Sequence, residues 1–283
     1  MAGRGRGRGR GLLAVALAAK PTTPGGGDNT EAKVTISGGE GASKRDVRSE
    51  QALQDLENEL NSLNFDPTDA DLQRIEQLGT LGLTNSEDSQ AIAKLVYEKV
   101  LQSREFAKAA AMVSDRLSNL QKEGTNFRSA VLSLVQVDYK GREELQKKSR
   151  NRFLGFLSFL TQLFGTMRLV SGEVMQPLVN PIYDCCDLVL ETDSIDEDEC
   201  ECLSQQLQQI GRELQDNGED RMQQLMDTCR SKIITEQTKP QVRCFLLELL
   251  EFYLRRWQMA PNDVTRFYCD TIADIMAGLV LAE

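Results

Sequence analysis

Histidine is absent from the 283 residues, and its absence excludes much of the chemistry that side chains perform. Without imidazole, the chain cannot build serine or cysteine triads that use a histidine base, nor histidine-ligated zinc or haem. Walker-type phosphate loops are excluded as well, because no glycine cluster is followed by Lys-Ser or Lys-Thr at the required spacing. We therefore expect a protein that is not an enzyme and that needs no cofactor; a histidine-free enzyme with two facing carboxylates or a desolvated lysine is the alternative.

The cysteines are the nearest approach to a metal-ligand set. Cys185–Cys186 and Cys200–Cys202 could supply four thiolates, but neither pair has the two-residue gap of a zinc knuckle, and neighbours on a helix point about 100° apart. The total of seven is odd, and several lie within helical apolar patterns, which favours buried, reduced thiols over a metal site. Reduced thiols indicate the cytoplasm, with the nucleus as the alternative.

A basic cluster is the best internal candidate for binding phosphate or an acidic partner. Two glutamates precede its lysines by four residues, which is the favoured orientation for ion pairs along a helix. A solvated helix face is therefore the alternative to a binding surface. The cluster consists of Arg142, Lys147, Lys148, Arg150 and Arg152.

Two further candidates for contacts with a partner protein lie outside this cluster. The turn after Gly165 contains Arg168 and Glu173, and turns are favoured because helix interiors are committed to packing. Trp257, the only tryptophan, follows Tyr253 by four residues and is preceded by two arginines. Either a buried anchor or an exposed contact for a partner protein fits this pattern.

The charge of the chain changes sign near residue 50. Residues 1–50 hold nine basic and five acidic residues, a net charge of +4, and the remainder holds 24 and 38, a net charge of −14. We predict that residues 1–49 form a disordered arm, whose alternating arginines are candidates for non-specific RNA contact; a solubilising tail is the alternative. The apolar run at 12–19 leaves a secretory signal as an alternative. The candidate RNA contacts are Arg4, Arg6, Arg8 and Arg10.

The rest of the chain has the apolar periodicity of helices. Helix pairs open near residues 86, 125, 174, 219 and 261, at spacings of 39 to 49 residues, which is typical of HEAT-type repeats. We predict an all-α, right-handed α-solenoid of antiparallel helix pairs over 84–283, preceded by a short helical linker at 50–83. Because no apolar run approaches 18 residues, we expect no membrane partner.

Capping residues predict where three of these helices begin. Thr84 with Glu87, and Ser194 with Glu197, have the spacing of capping boxes, and Thr125 can cap the helix between them.

Four segments of the chain resemble a known family: EGTNFRSAVL (123–132), REELQ (142–146), RFLGFLSFLTQLFGTMR (152–168) and LVNPIYDCC (178–186). They resemble the HEAT-like middle domain of the large scaffold protein of translation initiation factor 4, and the resemblance extends over about residues 85–260. Within that family the chain is similar to two small adaptors. One works with the nuclear cap-binding complex, and the other binds the histone stem-loop-binding protein.

The resemblance implies a non-enzymatic adaptor that binds translation initiation factors, RNA helicases or mRNA-binding proteins. Direct RNA binding through the arm and the basic cluster is an alternative, and the sequence leaves a homodimer open. A poly(A)-binding-protein interactor of the same family has a short peptide that Leu60, Asn61, Phe65 and Pro67 resemble. Since the gap from leucine to phenylalanine is two residues too short, and Leu60 also fits a helix face, we interpret this likeness as coincidence.

Overall fold

A computed structural model describes residues 47–120, 126–169, 171–192 and 194–278 of the chain. The described residues form twelve α-helices, two 3₁₀ turns and one isolated β-bridge between Arg168 and Val174. The arginines at positions 4, 6, 8 and 10, and the apolar run at 12–19, lie outside the described residues. The helices are α1 Val47–Ser62, α2 Asp69–Gly82, α3 Ser86–Gln102, α4 Ala107–Ser118, α5 Phe127–Lys140, α6 Arg142–Lys148, α7 Arg150–Thr166, α8 Val179–Leu190, α9 Glu197–Asp216, α10 Glu219–Ile233, α11 Pro240–Leu254 and α12 Asn262–Met276.

The helices pair in sequence and stack in two rows. Five hairpins follow one another: α1 with α2, α3 with α4, α5 with α7, α8 with α9, and α10 with α11. In the second row each helix packs on the next, from α2 through α4, α7 and α9 to α11, and α12 covers part of α11. The short helix α6 is inserted within the third hairpin. This arrangement confirms the predicted all-α solenoid of HEAT-like pairs.

Helix α7 forms the centre of the core. Its phenylalanines at 153, 156, 159 and 164 are fully buried, as the density of apolar residues in this segment predicts. Gly155 lets α7 approach α3 closely, because a Cβ at this position would lie 2.5 Å from the carbonyl oxygen of Val100 and 2.9 Å from the Cα of Leu101. Both obstacles are backbone atoms, so the contact between α3 and α7 depends on glycine.

The first hairpin is continuous with the rest of the core. Leu56, Leu60, Leu72 and Ile75 are buried in the same apolar cluster as the later helices. The Nζ atom of Lys99 on α3 donates hydrogen bonds to the carbonyl oxygens of Leu60, Asn61 and Leu63 at 2.8, 3.1 and 3.3 Å. This ammonium group therefore ties the end of α1 to α3. The division of the chain at residue 84 stays a prediction.

The predicted helix starts are correct to within a few residues, but the predicted capping residues are wrong. Asn85 rather than Thr84 caps α3, Asn126 caps α5, and Asp196 rather than Ser194 caps α9. In each case a neighbouring Asn or Asp offers a carbonyl or carboxylate oxygen to the free backbone N–H groups, and these residues are among the strongest N-caps.

Candidate functional site

The basic cluster occupies the corner between α5 and α7, and its arginines are engaged by other parts of the solenoid. Arg150 forms ion pairs with Asp196 and with Asp198, the latter at 3.4 Å. Arg152 binds both carboxylate oxygens of Glu98 on α3, at 3.0 and 3.2 Å. These two side chains hold α7 to the helices before and after it, and their charges are neutralised there.

Arg142 is also held by its surroundings. Its guanidinium group lies 4.8 Å from the ring centre of Tyr139 and donates a hydrogen bond to the carbonyl oxygen of the same residue at 3.2 Å. This contact between a cation and an aromatic face fixes the side chain at the start of α6.

The two lysines remain at the surface of α6, a helix without a buried residue. Lys147 pairs with Glu144 at 3.6 Å, three residues away and not the four that we expected, and both side chains are more than two-thirds exposed. Lys148 is exposed and has no ion partner among the described residues. Of the predicted cluster, these lysines are therefore the groups most accessible to another molecule.

Arg168 closes the C-terminal end of α7. Its guanidinium group donates hydrogen bonds to the carbonyl oxygens of Phe164, Gly165 and Met167 at 2.8, 2.9 and 3.0 Å. It also contacts both carboxylate oxygens of Glu213 on α9 at 3.0 Å. Glu173, the other predicted residue of this turn, is exposed and accepts a hydrogen bond from Ser171 at 3.0 Å.

A row of tyrosine–aspartate contacts joins successive hairpins, and the sequence patterns considered above did not predict it. The hydroxyl of Tyr97 donates to Asp138 at 2.7 Å, and that of Tyr139 donates to Asp184. Arg221 on α10 continues the row by binding Asp184 at 3.1 Å. The partners are separated by 41, 45 and 37 residues, close to the period of the helix pairs, so this spacing was an available signal.

Burial raises the pKa of both phenols above a value that already leaves tyrosine protonated at neutral pH. Burial, together with the hydrogen bond to Asp138, raises the pKa of Tyr97 far above its usual range. For Tyr139, burial and the bond to Asp184 raise the pKa to about 12. Both hydroxyls are therefore donors at neutral pH, and their role is to hold one hairpin against the next.

Most of the reactive side chains of the described region are committed to packing, with exposed Cys269 as an exception. Six cysteines are buried, and burial raises the pKa of Cys185 and Cys229 to about 12, so their thiolates are scarce at neutral pH. Within the described ranges, no three Cys, Asp or Glu residues are arranged to hold a metal ion. Burial lowers the pKa of Lys99, but the three carbonyl oxygens around its ammonium group make it a structural tie.

Trp257 is half-buried in the turn after α11. Its indole Nε1 donates a hydrogen bond to the side-chain oxygen of Gln215 at 2.7 Å, and its ring meets that of Tyr253 edge-on at 6.1 Å. A Cβ at Gly211 would lie 2.3 Å from the six-membered ring, so glycine provides the seat for the indole. The ring is therefore an anchor between α9 and the turn after α11, and a contact between Trp257 and a partner protein stays a prediction.

None of the described helices is both long and apolar enough to cross a membrane.

Comparison with known proteins assigns the chain to a family. The model of the MIF4G domain matches residues 50–255. The CBP80/20-dependent translation initiation factor of Xenopus tropicalis is 35% identical over 215 residues, which are 75% of this chain and 37% of that protein, so the chain spans little more than a third of this relative. The MIF4G domain-containing protein of Homo sapiens and the MIF4G domain-containing protein B of Danio rerio are each 27% identical, over 66% and 67% of this chain and 86% of their own length.

MIF4G domains are HEAT-like scaffolds that typically have no catalytic role, which agrees with the geometry above. The matched range includes the first hairpin, which is packed on the rest of the core. The resemblance inferred from the sequence is thus confirmed: the chain belongs to the MIF4G domain family and is related to a translation initiation factor.

Proposed function

We propose that this protein is a non-enzymatic adaptor that binds translation initiation factors and mRNA-associated proteins, and so promotes or regulates translation initiation. Membership of the MIF4G family is the observation that carries the proposal. The partners are initiation factors, an RNA helicase or mRNA-binding proteins, and the site of action is the cytoplasm, with the nucleus as a second location. The likeness to a CBP80/20-dependent translation initiation factor supports this assignment.

The architecture suits an adaptor because stacked hairpins expose long surfaces and need no cleft. The six buried thiols and the ammonium group of Lys99, which donates three hydrogen bonds to carbonyl oxygens, stabilise the packing of the helices. The residues left for partners lie at loops and on short, exposed helices.

At the basic corner we assign two roles to the predicted site residues. Lys147 and Lys148 on the exposed helix α6 contact a partner, whereas Arg150 and Arg152 hold the corner in place through their acidic neighbours. In the turn after α7, Glu173 is the exposed contact, and Arg168 positions the turn. Arg142 fixes the start of α6 against Tyr139.

Direct RNA binding is the less supported function. Residues 51–283 have a net charge of −14. The arginines at 150, 152 and 168 are each paired with a carboxylate. A phosphate would have to displace those carboxylates. The likeness to a poly(A)-binding-protein interactor is weakened as well, because Leu60 is buried in α1 and the following carbonyl oxygens are bound by Lys99.

Affinity purification from cell lysate, with and without ribonuclease, tests the proposal. We expect initiation factors or mRNA-associated proteins to be retained after ribonuclease treatment, and retained by a variant that lacks residues 1–11. An eluate that becomes empty on ribonuclease treatment would refute the adaptor function and favour RNA tethering.

A charge-reversed pair locates the contact. Lys147→Glu with Lys148→Glu should remove a bound factor, whereas the control Lys94→Glu with Lys108→Glu changes the net charge equally at two exposed positions on α3 and α4. Equal binding by both double variants would show that α6 is not the contact surface.

A further inference from the structure

A cleft of about 570 Å³ lies where the C-terminal half of α9 meets the end of α11. This volume is within the range of sites that bind small ligands or a few residues of peptide. The cleft combines an aromatic wall, an exposed leucine and several polar side chains. It is lined by Arg212, Gln215, Asp216, Tyr253, Leu254, Arg256, Trp257 and Gln258.

The turn that closes the cleft has an unusual backbone. Arg256 and Trp257 have φ values of +56° and +62°, in the left-handed region that disfavours residues with a Cβ. The conformation places the indole on Gly211 and directs Arg256 to the surface. The family model matches the chain as far as residue 255, so Arg256 and Trp257 lie just beyond the matched range.

Two guanidinium groups at this cleft differ from their neighbours. Arg212 and Arg256 are exposed, and neither forms an ion pair or a side-chain hydrogen bond with the described part of the chain. Arg255, the residue before Arg256, pairs with Glu251 at 3.6 Å. The cleft thus carries two accessible positive charges and one negative charge, that of Asp216, on a body whose net charge is −14 after residue 50.

We propose that this cleft binds a short acidic peptide segment of a partner protein, with a bulky apolar side chain between two carboxylates. The carboxylates pair with Arg212 and Arg256, since guanidinium groups bind carboxylates with two parallel hydrogen bonds. The apolar side chain packs on Leu254, which is 67% exposed, and on the open edge of Tyr253 and Trp257.

The packing of Trp257 favours a peptide over single-stranded RNA. Base stacking needs an open aromatic face, but one face of Trp257 lies on Gly211 and its N–H is bound to Gln215. The site is separate from the basic corner, so its failure would leave the proposed adaptor function untouched.

A display library of random twelve-residue peptides, selected on the full chain, tests the proposal. We expect enriched peptides to combine acidic residues with a large apolar one. A synthetic copy should change the fluorescence of Trp257, which is the only tryptophan in the chain. The double variant Arg212→Glu with Arg256→Glu should weaken binding at least tenfold, and Arg212→Glu alone should weaken it measurably if the double variant does not fold.

The control Lys94→Glu with Lys140→Glu has the same change of net charge and should bind within twofold of the unchanged protein. No enrichment, enrichment of basic peptides, or equal binding by the cleft variant would overturn the proposal. Displacement of the peptide by a twelve-residue oligouridylate at equal concentration would do the same, and would identify the cleft as a site for nucleic acid.

Discussion

Replacing Arg168 with alanine tests whether this residue binds a partner or stabilises the fold. The sequence placed Arg168 among the partner-binding residues, whereas the structure shows its guanidinium group bound to three carbonyl oxygens at the end of α7 and to Glu213 on α9. If the structural role dominates, Arg168→Ala loses stability and the folded protein keeps its partners.

The expected loss follows from these contacts. A net hydrogen bond contributes about 0.5–1.5 kcal/mol, and the freed carbonyl oxygens can reach water, so the three together account for about 1.5 kcal/mol. Arg168 and Glu213 are 32% and 36% exposed, and solvent screening limits such a pair to about 1 kcal/mol. We expect Arg168→Ala to lower the free energy of unfolding by about 2–3 kcal/mol.

Urea unfolding, followed by circular dichroism, measures this loss as a shift of the midpoint at constant slope. A double-mutant cycle with Glu213→Ala should give a coupling of about 1 kcal/mol. Arg266→Ala is the control, because Arg266 is 82% exposed and its contact with Asp270 is 3.5 Å long; it should change stability by less than about 0.5 kcal/mol. An unchanged midpoint for Arg168→Ala, with loss of partners, would refute the structural role.

Four further predictions test the packing and the charges. Gly155→Ala should lower the free energy of unfolding by about 2–3 kcal/mol through overlap with the backbone of α3, whereas Gly141→Ala, with space around it, should be neutral or stabilising; equal midpoints in urea would contradict this. In the native protein, Cys269 alone should react rapidly with Ellman's reagent, and all seven thiols should react after denaturation. Burial raises the pKa of Glu199, so its charged form destabilises the fold as the pH rises. Glu199→Gln should therefore increase the free energy of unfolding at pH 8 and leave it unchanged below about pH 4, as measured by urea unfolding at both pH values. Arg256→Gly should raise stability by about 0.5–1 kcal/mol in thermal denaturation, because glycine tolerates the positive φ, while weakening the peptide contact.

The helix pairs could be predicted from the sequence because their signals are local. Openings expected near 86, 125, 219 and 261 correspond to helices that begin at 86, 127, 219 and 262. The helix expected near 174 begins at 179, after a 3₁₀ turn over 176–178. The apolar density of 152–168 likewise identified the central helix. Periodicity and helix-start residues act within one or two turns, so a single sequence contains them.

The capping residues and the boundaries of α6 could not be predicted from local signals in the same way. Where Thr84 and Asn85 are adjacent, or Ser194 and Asp196 nearly so, each can cap, and the choice depends on how the preceding loop packs. The separate helix α6 lies within a continuous helical pattern, and its boundaries depend on contacts with α7.

The role of each charged residue depends on neighbours that are about one repeat away. Arg152 pairs with Glu98 at a separation of 54 residues, and Arg168 with Glu213 at 45. A sequence window that shows a cluster of basic residues does not contain these acids, so it cannot distinguish a stacking contact from a free charge. The fold makes the distinction, since a cation neutralised by the next repeat stabilises the solenoid.

The paired arginines of the basic cluster are therefore poor candidates for binding a partner. A partner gains little from a guanidinium group that must first release a carboxylate, because desolvation and the broken contact offset the new pair. Accessible cations without an acid of the chain itself do not carry that cost. Lys148 on α6, and Arg212 and Arg256 beside the aromatic turn, meet this condition within the described residues. Charge reversal at these positions should therefore change binding with little effect on stability, the opposite of what we expect at Arg168.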